Sequence, residues 1–241
     1  MWASLRVLVV LLVLGIPAAV IGIPWSALRG NVHTMYGWAM AIIRLALRAG
    51  GVRVRIFGAE NLSTEPSIVM SNHVSNLDPP VLLPSLSGMT SVMLKQELMR
   101  IPLLGTAMRM GYFVPVARGH SREEAVRSMT AAREAMQHGL HITIFPEGTR
   151  SPDGQLLPFR KGGFFLATET DAPVVPVVIR GTQRLMRRGS FRLQPGEVSV
   201  EFLPALRASE FGTREALMEA VRDRMEVALR APAPTSRAAR S

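Results

Sequence analysis

The stretch VVPVVI, residues 174–179, is apolar at every position. Successive side chains of a strand point to opposite faces of a sheet, so this segment is apolar on both faces. Such strands lie inside sheets that helices cover on both sides. We therefore expect residues 174–179 to form an interior strand of an α/β domain.

Beyond residue 50, similar short apolar runs alternate with segments that have helical patterns. This alternation is typical of an α/β fold whose strands form the core. The sequence predicts a mixed, largely parallel sheet of about seven strands, covered by helices. The predicted strands are Val52–Phe57, Pro66–Ser71, Ser91–Lys95, Tyr112–Val116, Leu140–Phe145, Val174–Ile179 and Val198–Leu203.

Two of the predicted helices have recognisable ends. The first begins at Ser121, where Ser121 and Glu124 form a capping box, and it ends at Gly139. The second runs from Thr213 to Leu229 and carries an apolar stripe of Leu217, Val221, Met225 and Ala228. We expect such helices to cover the sheet.

The N-terminal region is strongly apolar. Residues Val7–Ile23 form an unbroken apolar run, which as a helix is about 26 Å long, slightly less than a hydrocarbon core of about 30 Å. Pro17 and Pro24 weaken a straight span further. A second apolar stretch, Tyr36–Leu47, is interrupted by Arg44 and is typical of an amphipathic helix at an interface. The two segments predict a membrane-associated helical hairpin.

A single transmembrane anchor and a secretory signal peptide are the alternatives for this region. The signal peptide is disfavoured because only Arg6 precedes the apolar run as a basic residue and no small-x-small cleavage site follows it. Basic residues crowd after the first segment, which by the positive-inside tendency places the main body on the cytoplasmic face of the inner or cell membrane. They are Arg29, Arg44, Arg48, Arg53 and Arg55. We expect a membrane anchor over 1–50, a folded domain over 51–230 and a disordered tail over 231–241.

Composition narrows the possible chemistry. The chain has no cysteine, which rules out a thiol nucleophile, a cysteine metal site and disulfide bonds. Its net charge of +10 suits nucleic acid, an anionic membrane surface or phosphate-bearing molecules. Nucleic acid is disfavoured because aromatic residues make up only 6% and the charge is dispersed. The close pair His138 and His141 lacks carboxylates at ligand spacing, so no metal site is predicted.

The polar segment SNHVSNLD, residues 71–78, follows a predicted strand, where ligands bind in open α/β sheets. A spacing of five would place His73 and Asp78 about 140° apart on a helix, so they touch only across a turn, which Pro79 favours. A histidine oriented by a carboxylate acts as a general base towards a hydroxyl. The alternative is that Asp78 only caps the helix starting at Pro79, with His73 a structural loop residue.

A second polar segment, FPEGTRS at residues 145–151, also follows a predicted strand and belongs to the same sheet edge if the strands are parallel. Gly148 permits close backbone approach, and Arg150 offers a fork for phosphate or carboxylate. Glu147 can orient Arg150 or bond a substrate hydroxyl. Beyond this loop, Lys161 leads into a helix whose N-terminus can add an anion site. The alternative is a structural turn with a surface salt bridge.

The order and spacing of these segments resemble the glycerolipid acyltransferase family, and within it the 1-acylglycerol-3-phosphate acyltransferases. The family's first motif, Asn-His-x-Ser-x-x-Asp, is matched at Asn72, His73, Ser75 and Asp78. Its second, Lys-x-Glu-Leu with downstream Pro, Gly and Arg, is matched at Lys95, Glu97, Leu98, Pro102, Gly105, Gly111 and Arg118. Its third, Phe-Pro-Glu-Gly-Thr-Arg-Ser, is matched at 145–151, and its fourth, Val-Pro-Val, at 175–177. The resemblance extends over about residues 35 to 205.

The resemblance implies transfer of a fatty acyl group from acyl-CoA or acyl-carrier protein to the sn-2 hydroxyl of 1-acylglycerol-3-phosphate (lysophosphatidic acid). The product is phosphatidic acid, used in phospholipid biosynthesis. His73 is then the base and Asp78 its orienting carboxylate, with no covalent intermediate and no cofactor. The implied substrate-binding residues are Lys95, Arg118, Glu147, Gly148, Thr149 and Arg150, and the implied supporting residues are Asn72, Ser75 and Lys161. Residues 51–230 become the catalytic domain, and membrane lipids are expected partners of the anchor.

Other functions share some of these features. An enzyme of the same family could use another acceptor, such as a lyso-aminolipid, another lysophospholipid or glycerol 3-phosphate. A lipid-ester hydrolase is disfavoured because the chain has no Gly-x-Ser-x-Gly elbow, and Ser75 is expected to bond the loop backbone rather than act as a nucleophile. A non-catalytic membrane or nucleic-acid binder would tolerate the loss of His73.

Overall fold

The computed structural model describes residues 2–116 and 122–234. Its helices are α1 (Trp2–Val10), α2 (Ile16–Arg29), α3 (His33–Ala49), α4 (Asp78–Leu82), α5 (Leu104–Met110), α6 (Arg122–Gln137), α7 (Gly162–Thr170), α8 (Thr182–Leu185) and α9 (Arg214–Arg230). Its strands are β1 (Val52–Phe57), β2 (Ile68–Ser71), β3 (Thr90–Lys95), β4 (Val114–Val116), β5 (His141–Ile144), β6 (Val174–Arg180) and β7 (Gly196–Phe202). All seven predicted strands are present, each with ends within two residues of the prediction.

The strands form one sheet in the order β1-β7-β6-β2-β5-β3-β4. The pair β6 and β7 is antiparallel, and every other neighbouring pair is parallel. This confirms the predicted α/β fold with a mixed, largely parallel sheet. The parallel neighbours β6, β2 and β5 place their carboxyl ends at one edge, so the loops that follow these strands come together there.

The apolar strand β6 lies in the interior of the sheet, as predicted, with helices on both of its faces. Its side chains alternate between two core clusters, because a strand has a repeat of two residues. Val175, Val177 and Ile179 join the cluster that contains Met40 and Leu47 of α3. Val174 and Val178 join the opposite cluster, which contains buried residues of α6, α7 and α9. Burial of each such side chain contributes roughly 1.5–3 kcal/mol to the free energy of unfolding.

The N-terminal region forms the predicted helical hairpin, but its first helix is longer than the apolar run suggested. It extends over Trp2–Arg29, 28 residues, or about 42 Å at 1.5 Å per residue. A π-helical segment, Leu11–Gly15, lies immediately before Pro17. Proline has no N–H for the helical ladder, and a local π turn absorbs this gap without ending the helix. The helix therefore continues through both Pro17 and Pro24.

The hairpin turns at Gly30, whose φ of +59° ends the first helix in a left-handed conformation. The returning helix α3 then packs against both α1 and α2. Among the described residues, Trp2–Arg29 is the one helix long and apolar enough to cross a membrane, with a mean hydropathy of 2.7. Many of its large apolar side chains are exposed, and the protein is membrane-associated.

Helix α9 covers the face of the sheet opposite the hairpin. The predicted stripe residues Leu217, Val221 and Met225 are fully buried. The hydroxyl of Thr213 accepts a hydrogen bond of 3.1 Å from the Ala216 N–H and caps the helix. Gly139, with a φ of +82°, follows the end of α6 as predicted. The predicted cap at Ser121 lies outside the described residues, as does most of the predicted tail, from residue 235 onwards.

We predict that Thr213→Ala lowers the free energy of unfolding by about 1 kcal/mol, because one N–H of the first turn of α9 loses its acceptor. Denaturant unfolding of the detergent-solubilised protein measures this change. Thr213→Ser is the matched control and should retain most of the stability, since serine supplies the same oxygen. Equal destabilisation by serine and alanine would show that the methyl group, and not the cap, is responsible.

Candidate active site

The imidazole of His73 and the carboxylate of Asp78 meet at the carboxyl end of β2. His73 Nδ1 lies 2.8 Å from Asp78 Oδ2. The contact needs the turn that the proline at 79 suggested, and the Asp78 N–H closes this turn on the Ser75 carbonyl at 3.3 Å. The two residues that the sequence paired are therefore in direct hydrogen-bond contact.

The Asp78 carboxylate is completely buried and accepts hydrogen bonds from four groups. Besides His73, Oδ2 accepts from the N–H groups of Val74 and Ser75, both at 2.7 Å. Oδ1 accepts from the Thr182 hydroxyl at 2.5 Å. A buried carboxylate is stable only when such donors compensate for its lost hydration. None of these donors is an N–H of α4, so the alternative that Asp78 only caps that helix is wrong.

This arrangement fixes the tautomer of His73. A carboxylate only accepts hydrogen bonds, so Nδ1 carries the proton and Nε2 presents its lone pair. The ring stacks on Phe145, with centroids 4.3 Å apart and planes inclined by 28°. The side chain remains 18% exposed, so one edge of the ring is accessible. An oriented, accessible Nε2 is what a general base for a hydroxyl requires.

The loop after β5 holds His73 by its backbone. The His73 N–H donates to Glu147 Oε1 at 2.8 Å, and the His73 carbonyl accepts from the Ser151 N–H at 2.7 Å. The segments 71–78 and 145–151 are thus neighbours, because β2 and β5 are parallel and adjacent. The expectation that they share one sheet edge is confirmed.

Glu147 is almost completely buried, and both of its oxygens are used by the protein backbone. Oε2 accepts from the Leu157 N–H at 2.9 Å, while Oε1 accepts from His73. Burial raises the pKa of the Glu147 carboxyl above its usual range, although the backbone donors at Leu157 and His73 act in the opposite direction. Glu147 therefore positions the backbone on which the base is mounted.

Arg150 is held differently from the sequence expectation. Its Nη1 donates to Asn76 Oδ1 at 2.7 Å, and within the described residues it forms no ion pair with Glu147. Of the two roles that the sequence left open for Glu147, orientation of Arg150 is not observed, because both Glu147 oxygens accept from backbone N–H groups. The guanidinium is half-buried beside the exposed residues Gly148 and Thr149. The contact of these four residues with a substrate stays a prediction.

Gly148 is required by its own loop. Its φ is +69°, and a β-carbon there would lie 2.3 Å from Nε of Arg160. The Arg160 N–H in turn donates to the Pro146 carbonyl at 2.7 Å, which closes the loop on itself. A side chain at position 148 would therefore disturb the turn that carries Glu147 and Arg150.

Asn72 and Ser75 support the loop of the base. The Asn72 amide accepts from the Ile179 N–H at 2.8 Å and donates to the Ile179 carbonyl at 3.0 Å, which joins the ends of β2 and β6. The Ser75 hydroxyl donates to the Met186 carbonyl at 2.7 Å and accepts from the Leu77 N–H at 3.2 Å. Ser75 bonds the backbone, as expected, and its buried hydroxyl is not placed to act as a nucleophile.

Of the remaining predicted residues, the structure describes the side chain of Lys161, whose hydrogen bond is to Glu215 and not to the pair. Lys161 precedes α7 and its ammonium lies 3.1 Å from Glu215 Oε1 in an exposed surface pair. Hydrogen bonds from Arg214 and then from Lys161 lower the pKa of Glu215 to about 2. Lys95 ends β3, but its side chain lies outside what the structure describes, and Arg118 lies outside the described residues altogether.

Sequence reasoning missed Thr182, Met186 and the stacking of Phe145 on the base. Thr182 is 104 positions from Asp78, and no local pattern links the two. The available signal was positional, since Thr182 follows the interior strand β6 as His73 follows β2. With these additions, every hydrogen-bonding atom of the Asp78 carboxylate has a partner.

A family described as Acyltransferase matches more than half of the chain, so the chain belongs to that family. The match extends over residues 53–180, which include all of β2, β3, β4, β5 and β6 and nearly all of β1. This interval contains both polar loops of the site. The family predicted from the motifs is thus confirmed.

Particular relatives narrow the comparison. A 1-acyl-sn-glycerol-3-phosphate acyltransferase of Limnanthes douglasii is 32% identical over 190 residues, which cover 78% of this chain and 66% of that protein. The human enzyme described as alpha is 30% identical over 188 residues, 77% of this chain and 66% of that protein. The chain thus spans about two thirds of the length of these relatives. The crystal structure of the 1-acyl-sn-glycerophosphate (LPA) acyltransferase from Thermotoga maritima has a TM-score of 0.72 and 26% identity, and the match covers 95% of this chain and 99% of that chain.

We predict that Thr182→Val lowers the free energy of unfolding by about 2 kcal/mol, because a buried carboxylate oxygen loses its charge-assisted hydrogen bond. Valine has nearly the same shape as threonine, so packing is retained. Denaturant unfolding measures the loss, and Thr182→Ser, which keeps the hydroxyl, should recover most of it. A serine variant as unstable as the valine variant would contradict the hydrogen-bond explanation.

The raised pKa of Glu147 predicts a pH dependence of stability. A carboxyl whose folded-state pKa is raised contributes stability that is present below its ordinary value of 4.5 and is lost as the pH rises through the folded-state pKa. Compared with Glu147→Gln, the wild-type protein should therefore gain free energy of unfolding as the pH falls from 7 to 4.5. Urea unfolding of both proteins over this range measures the difference. If the difference in free energy of unfolding between the two proteins stays constant, or if it comes to favour the variant at low pH, the pKa of Glu147 is not raised.

Proposed function

We propose that the chain transfers a fatty acyl group from acyl-CoA or acyl-carrier protein to the sn-2 hydroxyl of 1-acylglycerol-3-phosphate, giving phosphatidic acid. The observation that carries the proposal is the contact between His73 Nδ1 and the fully buried Asp78 carboxylate at 2.8 Å. The printed names of the relatives support this acceptor.

The reaction follows from the tautomer of His73. Nε2 removes the proton of the acceptor hydroxyl as its oxygen attacks the carbonyl carbon of the thioester. The tetrahedral intermediate collapses by breaking the carbon–sulfur bond, and the imidazolium returns its proton to the leaving thiolate. Between these two steps Asp78 stabilises the imidazolium, because its negatively charged carboxylate accepts the hydrogen bond from Nδ1–H. The products are the new ester and the free thiol.

Direct transfer agrees with the side chains around the base. The chain contains no cysteine, and the Ser75 hydroxyl is bound to backbone groups in the interior. No acyl-enzyme intermediate is therefore part of the proposal, and the steps above need no cofactor.

The phosphate of the acceptor is assigned to the loop that follows β5. Arg150 is half-buried there, and its planar guanidinium suits two oxygens of a phosphate. Its bond to Asn76 fixes the side chain against the loop of the base. The exposed Gly148 and Thr149 can add backbone and hydroxyl contacts. By resemblance, Lys95 and Arg118 belong to the same proposed set.

The apolar surface of the hairpin supports the proposal that the substrate resides in a membrane. The proposed partners are membrane lipids, and nucleic acid is not a proposed partner. The basic residues that follow the first helix favour the cytoplasmic face of the inner or cell membrane. A base at the sheet edge then acts on a lysolipid that keeps its chain in the bilayer.

We predict that His73→Ala lowers kcat for acyl transfer from oleoyl-CoA to lysophosphatidic acid by about 10³-fold, the usual contribution of a general base. Asp78→Asn should lower kcat strongly as well, because the amide no longer enforces the tautomer. The assay is formation of phosphatidic acid by the purified protein in mixed micelles. His33→Ala, at the exposed start of α3, is the matched control and should leave the rate unchanged.

The outcomes separate the parts of the proposal. Product formed by the folded wild-type protein and lost in both variants supports the base and its carboxylate. Transfer only to another lysolipid or to glycerol 3-phosphate would keep the mechanism and replace the acceptor. Activity that survives His73→Ala in full would overturn the mechanism.

A further inference from the structure

The loop of residues 186–195 lies beside the first turns of the apolar helix. The Ser4 hydroxyl on α1 donates to the Phe191 carbonyl at 3.2 Å and accepts from the Leu193 N–H at 2.8 Å. The Leu193 side chain is buried next to Gly50, at the end of α3. The loop is therefore fixed to both helices of the hairpin and lies next to its apolar surface.

Two aromatic side chains project from this junction into solvent. Phe191 is 80% exposed and Trp2 is 74% exposed. Their exposure continues the apolar surface of α1, where Leu5, Leu8 and Val9 are also exposed. Exposed large apolar side chains of this kind mark a contact site, and tryptophan is enriched where a membrane meets water.

The start of α1 and the loop 186–195 also carry arginine side chains. They are Arg6, Arg187, Arg188 and Arg192, and all four are exposed. Within residues 2–116 and 122–234, none of the four forms a salt bridge. The segment 182–195 contains no aspartate or glutamate, so the positive charge of the loop is not compensated along the chain. The junction thus attracts anions.

Arg6 and Arg192 face one cavity of about 290 Å³, which Trp2, Gly50 and Gly51 also line. Guanidinium groups bind phosphate oxygens well, because their donors match the oxygens in pairs. A soluble phosphate compound would explain the arginines but not the aromatic side chains next to them. A phospholipid explains both, since its phosphate lies directly above its hydrocarbon chains.

We propose that the start of α1 and the loop 186–195 together form a binding site for the headgroups of anionic phospholipids in the bilayer. Arg6 and Arg192 hold the headgroup phosphate, Arg187 and Arg188 face the anionic surface, and Trp2 and Phe191 enter the interface. The site is separate from the acceptor site, which lies at the loops after β2 and β5.

The test compares partitioning of the purified protein into vesicles of phosphatidylcholine with and without 30% phosphatidylglycerol. The double variant Arg6→Gln/Arg192→Gln should reduce the preference for the anionic vesicles by about tenfold, because two cationic contacts with an anionic surface are lost. Binding to phosphatidylcholine vesicles should stay unchanged, since the apolar helix is intact. The wild-type preference should weaken as salt is raised.

Arg127→Gln/Arg133→Gln is the matched control, with the same change in charge on α6, which covers the opposite face of the sheet. An equal loss of preference in this control would show that net charge, and not the site, is responsible, and would overturn the proposal. So would an unchanged preference in the Arg6/Arg192 variant.

Kinetics in neutral detergent micelles distinguish this site from the proposed reaction. The Arg6/Arg192 variant should keep the wild-type kcat and the wild-type KM for the acyl donor. A raised KM for oleoyl-CoA would assign the arginines to the phosphates of the donor and overturn the lipid site. Because partitioning into vesicles requires no turnover, absence of acyl transfer by the wild-type protein would concern only the proposed function.

Discussion

The buried carboxylate of Asp78 is the constraint on which the site depends. A completely buried negative charge must be matched by donors, and the fold supplies them from the imidazole, two backbone N–H groups and a threonine hydroxyl. Three of these donors belong to the turn 73–75, and Thr182 joins this turn to the start of α8. The orientation of the imidazole and the local structure are therefore stabilised by the same charge.

A second buried carboxylate, Glu147, performs the complementary task. It receives the backbone N–H of His73 and thereby links the loops that follow β2 and β5. The two carboxylates restrain the base from both ends, one at the ring and one at the main chain. Parallel pairing of β2 and β5 makes this possible, because it brings both loops to one edge of the sheet.

The segment that follows β6 connects the site with the membrane-associated surface. It begins at Thr182, which bonds Asp78, and passes Met186, whose carbonyl holds Ser75. It ends at Leu193, which is bonded to Ser4 of the apolar helix. The base and the hairpin thus belong to one hydrogen-bonded framework, which suits an enzyme whose substrate stays in a bilayer.

The sequence by itself determined the strands through their periodicity and the family through four motifs, and the resemblance to that family favoured the pairing of His73 with Asp78 over the helix-cap alternative. Only the tertiary structure decided that Thr182 completes the carboxylate, that Glu147 binds backbone instead of Arg150, and that the helix continues through Pro17. Thr182 and Asp78 are 104 residues apart, and Glu147 and His73 are 74 apart. Such contacts depend on which strands become neighbours in the sheet, and this is settled by packing of the whole core rather than by any local pattern.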